Sequence, residues 1–132
     1  MATFKGIKHI GIATAEGKKT TDFYVENLGG VFISEEPYPE QNQISFTVRM
    51  GDCDLEIMEP VSDHGAVAGF LAKKGPGLQH ISIEVEGIAE IEQELTAKGI
   101  QIVAKNFDGP VRYMFLSPKS TGGVLVEMFE NA

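Results

Sequence analysis

The sequence predicts an α+β fold made of two copies of one βαβββ module. Three observations predict it: eight short stretches with strand character, helix-type spacing in the first connection of each half, and a second half that repeats the first at a constant offset.

Residues 5–13 (KGIKHIGIA) alternate and carry three isoleucines, which is strand character. Residues 16–28 place Phe23, Tyr24 and Leu28 at roughly helical spacing and stop at Gly29-Gly30. Residues 30–36, 42–50 and 53–59 follow as strands, separated by 37–42 and by Gly51-Asp52. A short helix over 64–74 ends in Lys73-Lys74-Gly75-Pro76. The pattern then starts again. Residues 77–86 form a strand, and 87–98 an amphipathic helix with Ile88, Ile91 and Leu95 on one face, stopped by Gly99. Strands over 100–105, 111–117 and 123–129 complete it. The expected organisation is one domain over 1–132, with modules at about 1–62 and 76–132 joined by a helical connector, 63–75.

Sliding the chain by 71 positions lays Gly6-Ile7-Lys8-His9-Ile10-Gly11-Ile12 on Gly77-Leu78-Gln79-His80-Ile81-Ser82-Ile83. The same shift lays Gly51 on Gly122, Glu56 on Glu127 and Glu59 on Glu130. Each half therefore carries a histidine in its first strand and a glutamate in its last. With only 3 histidines in the chain, chance explains this coincidence poorly.

The surroundings sharpen the point. His9 and His80 are embedded in isoleucine-rich strands, Glu56 in Leu-Glu-Ile-Met, and Glu127 in an almost continuous apolar run from Val124 to Phe129. A carboxylate on the inner face of a sheet costs on the order of several kcal/mol unless it is paired or binds a cation. Strand side chains alternate faces, so these four can point one way while their neighbours pack the other. Taken singly, a strand histidine or glutamate is ordinarily structural or solvated; the shared offset makes the four a set. Two imidazoles and two carboxylates suit a divalent ion such as Co, Ni, Mn, Zn or Fe(II) better than Ca or Mg, and leave an octahedral ion two positions for water or substrate.

The bulk properties exclude other classes. The composition, 42% apolar and 23% charged, is that of a globular protein. A net charge of −8 with no basic stripe argues against a nucleic-acid partner. No apolar run is long enough to span a membrane, and no apolar run follows the N-terminal lysine as in a secretory signal, so a cytoplasmic location is expected. The single cysteine, Cys53, sits between acids and reads as a small strand-start residue with a protonated thiol. His64 has no repeat partner and reads as a surface or rim residue.

These residues resemble the vicinal oxygen chelate superfamily, which includes glyoxalase I, extradiol dioxygenases and methylmalonyl-CoA epimerase. The resemblance spans nearly the whole chain and is nearest to the epimerases in KHIGIA, in LEIMEP with the following AGFLAKKG, in GLQHISIEVEGI and in FLSPKSTGGVLVEMFE. It implies paired modules in an open, U-shaped eight-stranded mixed sheet, ligands at His9, Glu56, His80 and Glu127, and a homodimer. The epimerases often have glutamine at the position of Glu56, whereas glyoxalase I has glutamate. Ser117 stands where a histidine is common, and the 106–110 loop is short.

The chemistry that the resemblance implies is proton transfer next to a carbonyl, on an acyl-CoA or a thiol adduct. Epimerisation needs a base on each face of the carbon. Glu127 would be one, as ligand and base; Glu40, in Tyr38-Pro39-Glu40-Gln41-Asn42, resembles the other. In the alternative, a glyoxalase I-like lactoylglutathione lyase, Glu56 takes the second role and Glu40 none. A sequestering, resistance-type binding protein is the third reading, and the paired His/Glu set argues against it. The fourth ligand argues against an iron dioxygenase, whose sites use two histidines and one carboxylate. Lys73, Lys74, Arg112 and Lys119 are the cations available to CoA phosphates.

Overall fold

A computed structural model describes residues 2–132 of the chain. Its elements run β1 (Thr3–Ala13), α1 (Gly17–Leu28), β2 (Val31–Tyr38), β3 (Gln43–Met50), β4 (Cys53–Pro60), α2 (Ala66–Lys74), β5 (Gly77–Glu86), α3 (Ile88–Ala97), β6 (Ile102–Asn106), β7 (Val111–Leu116) and β8 (Leu125–Asn131). All eleven expected elements are present. The last strand starts two residues later than expected, because Gly122 and Gly123 hold φ of 81° and 101° in the preceding turn, conformations open to glycine but not to a strand. A single 3₁₀ turn, Pro39–Gln41, which the sequence did not announce, links β2 to β3.

The strands form one open, mixed eight-stranded sheet in the order β2-β3-β4-β1-β5-β8-β7-β6, so the α+β architecture is as expected. The chain divides into two compact units, one spanning His9–Gln79 and the other combining residues 2–8 with His80–Ala132.

In the unit His9–Gln79, β1 and β4 run parallel, with His9 opposite Asp54 and Gly11 opposite Glu56. β3 lies antiparallel to β4, and β2 antiparallel to β3. Alternation along β4 decides what goes where. Leu55 and Ile57 point to one face and join Phe46, Val48, Ile10, Ile12 and the Tyr24 and Val25 side of α1 in a core. Glu56 and Met58 point the other way, where Met58 packs with Ala13 and with Val67 of α2. α1 starts hard against this core. A Cβ at Gly17 would lie 2.3 Å from the Phe46 ring, so only glycine lets the helix begin there.

In the second unit, β5 and β8 run parallel, with His80 opposite Leu125 and Ser82 opposite Glu127. These are the β1–β4 pairings moved by the 71-residue offset, pair for pair. β7 is antiparallel to β8, and β6 to β7. Val126 and Met128 of β8 face α3 and pack with Ile88, Ile91, Met114 and Leu116, which leaves Glu127 on the opposite face.

A second carboxylate is repeated as well. Glu59 accepts a hydrogen bond from the Gly17 amide at 2.6 Å, at the start of α1. Its counterpart Glu130 accepts from Gly87 at 2.9 Å and Ile88 at 3.1 Å, at the start of α3. Neither helix has a side-chain cap from its own N-cap residue, so these strand glutamates satisfy the exposed amides and oppose the positive helix end. The Gly87 hydrogen bond, then that of Ile88 and the Arg112 and Lys5 charges, hold the Glu130 carboxyl below its ordinary value of 4.5 against a partial desolvation. A depressed folded-state pKa adds stability that is complete above the unfolded value and is lost as pH falls through the folded one. Glu130→Gln is therefore expected to lower stability by about 1 kcal/mol at neutral pH. Urea unfolding of both proteins should show that gap closing below about pH 4.5; a gap unchanged down to pH 3 would contradict the capping role.

Candidate metal centre

The face turned away from α1 and α3 is where the polar strand residues collect. In the first unit His9 comes from β1 and Glu56 from β4, with the His9 Nε2 and Glu56 Oε1 atoms 3.6 Å apart. The other Glu56 oxygen, Oε2, accepts a hydrogen bond from Ser45 Oγ at 2.9 Å, and Ser45 in turn accepts one from Gln43 Nε2 at 2.9 Å. Gln43 and Ser45 are both buried, and both lie on β3 two residues apart, hence on one face.

In the second unit His80 is 5% exposed, and its ring meets the edge of Phe115 at a centroid distance of 6.3 Å. Glu127 accepts a hydrogen bond from the fully buried Ser82 at 2.8 Å. The serine is directly across the parallel ladder from the glutamate it serves.

Within the first unit His9 and Glu56 each offer one ligand atom to a metal, and His80 and Glu127 are the candidates at the matching positions of the second. The donor set suits a divalent transition ion. Imidazole is a borderline ligand and carboxylate a hard one, and the Glu56 carboxylate is held by a hydrogen bond that leaves its second oxygen directed toward His9.

The remaining candidates are dispersed. Glu40 is exposed on the 3₁₀ turn. That turn is anchored by Asn42, in the left-handed region at φ 57°, whose side-chain amide donates to Ser62 Oγ at 2.8 Å and to the His64 carbonyl at 2.6 Å. His64 itself is exposed, with Nδ1 3.1 Å from Ser62 Oγ, in keeping with a surface residue. Burial, and after it the Asp54 and Asp52 charges, push the Cys53 thiol up, so it stays protonated as expected. Arg112 is engaged with Glu130 at 2.8 Å, which ties one of the four candidate phosphate-binding cations to the helix cap. Sequence reasoning missed Gln43, Ser45 and Ser82. The signal for them was present: Ser82 is two residues from His80, and Gln43 and Ser45 alternate with Ile44 and Phe46, so each shares a face with the ligands.

An open mixed sheet of eight strands, with histidine and glutamate candidates for a metal site on its polar face, defines a glyoxalase-like protein. The chain belongs to the glyoxalase/bleomycin resistance/dioxygenase superfamily, whose family model matches residues 8–115. Human mitochondrial methylmalonyl-CoA epimerase is 34% identical over 128 residues, covering 92% of this chain and 72% of that protein. An uncharacterized Bacillus subtilis protein, YqjC, is also 34% identical, covering 94% of this chain and 91% of its own. Among solved structures, a single-residue variant of Streptomyces coelicolor methylmalonyl-CoA epimerase in complex with 2-nitronate-propionyl-CoA superposes with a TM-score of 0.86 at 28% identity, over 98% of this chain and 99% of that one.

Proposed function

We propose that this chain is a metal-dependent isomerase that removes and returns a proton on the carbon next to a thioester carbonyl, as methylmalonyl-CoA epimerases do. The observation that carries the reading is the His9 and Glu56 pair, 3.6 Å apart, on a chain with epimerase relatives. His9, Glu56, His80 and Glu127 would together hold the ion, of the Co, Ni, Mn or Zn class. When bound, a divalent cation supplies Lewis acidity to a carbonyl group, which makes the neighbouring C–H more acidic. Glu127 accepts the proton on one face of the carbon, with Ser82 fixing its carboxylate. Glu40 serves the other face, carried on a turn that Asn42 anchors. The substrate is an acyl-CoA, which the acyl-CoA analogue bound to the Streptomyces relative supports. The same family resemblance supports a homodimer; among the described residues no helix is long and apolar enough to cross a membrane.

One residue favours a second reading. Glu56 is a glutamate, as in glyoxalase I, and would then act as the second base on a thiol–ketoaldehyde adduct. The two are separated by one experiment. The chain is incubated in deuterated water with methylmalonyl-CoA or with the glutathione–methylglyoxal adduct, and with Co, Ni, Mn or Zn supplied. Deuterium entering C-2 of methylmalonyl-CoA, lost on chelation and regained with metal, is the expected result. Absence of uptake with every metal would overturn the isomerase, and turnover of the adduct alone would establish the lyase.

A further inference from the structure

The two halves of the candidate centre are not wired alike, and the difference assigns a role to two residues outside it. In the second unit the serine that holds Glu127 is Ser82 of β5, directly across the ladder. Its repeat position in the first unit is Gly11, directly across from Glu56, where no hydroxyl exists. The first unit draws its donor from the opposite neighbour. Thr47 of β3 faces Glu56 in register, and Ser45, one step further along the same face, reaches Glu56 diagonally at 2.9 Å.

Gln43 then decides where the serine hydrogen goes. A hydroxyl has one hydrogen and two lone pairs. The Gln43 amide N–H occupies a lone pair of Ser45 Oγ at 2.9 Å, and the single hydroxyl hydrogen is committed to Glu56 Oε2. Glu56 Oε1 is thereby turned toward His9, at 3.6 Å. Gln43 and Ser45 are 8% and 3% exposed. Two uncharged polar side chains buried in sequence, each spending its donor on the next, form a directional chain.

We infer that Gln43 and Ser45 are positioning residues that orient Glu56 as a metal ligand, standing in for the hydroxyl that Gly11 lacks. The inference rests on the metal-binding reading above. It adds that the second unit's carboxylate has a donor of its own, Ser82.

The test is titration of the full-length metal-free protein with Co²⁺, read by the visible absorption of the ion and by calorimetry. Loss of a group that orients a ligand typically costs 10–100-fold in metal affinity. Ser45→Ala is expected to weaken Co²⁺ binding by about 10–100-fold and to change the shape of the visible band. Ser45→Thr, which keeps the hydroxyl, should restore both. Gln43→Glu is nearly isosteric but can only accept, so it competes with Glu56 for the single hydroxyl hydrogen, and it should behave like Ser45→Ala. Thermal melts of the metal-free proteins verify folding, and a Gln43→Glu protein that folds normally keeps the test decisive if Ser45→Ala does not. Parent-like affinity and spectrum in both Ser45→Ala and Gln43→Glu would overturn the assignment. His9→Ala separates the two failures. If it abolishes Co²⁺ binding while the Ser45 and Gln43 variants bind normally, only the positioning role falls; if it too binds normally, the metal centre itself is wrong.

Discussion

Glu127→Gln is expected to slow deuterium entry into C-2 of methylmalonyl-CoA by about 10²–10⁴-fold, the usual contribution of a well-placed proton acceptor. Glutamine retains a carbonyl oxygen that can coordinate a metal and accept from Ser82, but it has no basic site of useful strength at neutral pH. The rate should therefore fall further than the metal affinity. The measurement that decides is the exchange rate at saturating Co²⁺. A variant whose rate returns to the parent level once metal saturates would show Glu127 to be a ligand only. Glu40→Gln gives the complementary result. A two-base scheme predicts that interconversion of the epimers stops, while one epimer still exchanges its proton with solvent through Glu127. Equal loss from both epimers would remove Glu40 from the scheme, and its exposed place on a surface turn would then need no chemical explanation.

The largest stability effect is expected at Ile57. Its side chain is 0% exposed and is flanked by Phe46 on β3 and Ile12 on β1, its partners in register. Ile57→Ala removes three carbons from a site whose walls are hydrogen-bonded strands on both sides, so the space cannot close by a small backbone shift. The cost should be about 2–5 kcal/mol, a large part of the roughly 5–15 kcal/mol that holds a small domain folded. Urea unfolding with an unchanged denaturant slope would measure it. Ile57→Val should cost only about 0.5–1.5 kcal/mol. Because Ile57 points to the α1 side and Glu56 to the other, the alanine variant should keep its Co²⁺ affinity under conditions where it is folded. A loss under 1 kcal/mol would mean that the α1-facing core is much looser than its packing indicates.

The register explains why the candidate centre was readable at all. Parallel pairing of β1 with β4 and of β5 with β8 follows one offset, so a histidine and a glutamate at matched positions in the sequence become matched positions on the sheet. The period of two then sends Leu55, Ile57, Val126 and Met128 to the helices, and Glu56 and Glu127 away from them. His9, Glu56 and His80 could be picked out because imidazole and carboxylate groups are rare inside apolar strands. Glu59 and Glu130 aligned in the same way, yet their task as helix caps was invisible. It depends on where the first turns of α1 and α3 come down over the strand ends.

The donors behind the ligands lay further out of reach. Serine and glutamine at strand positions carry little information by themselves, since either is common on a solvated face. Which glutamate each serves is set by cross-strand neighbours 11 residues away for Ser45 and 45 for Ser82. A repeat would suggest that both glutamates use the same device. They do not, because Gly11 has no side chain where Ser82 has a hydroxyl.

What the sequence by itself determined was the duplicated strand–helix–strand order, the division of each strand into an apolar and a polar side, and the set of candidate metal ligands. These are properties of local periodicity and side-chain chemistry, which persist whatever the chain does at longer range. Only the tertiary structure decided which hydroxyl meets which carboxylate, which carboxylate closes which helix, and that Gly17 must lack a side chain because the Phe46 ring fills that space. Such choices turn on contacts of a few ångströms between segments far apart in sequence, and they exist only once the register of every strand has been fixed.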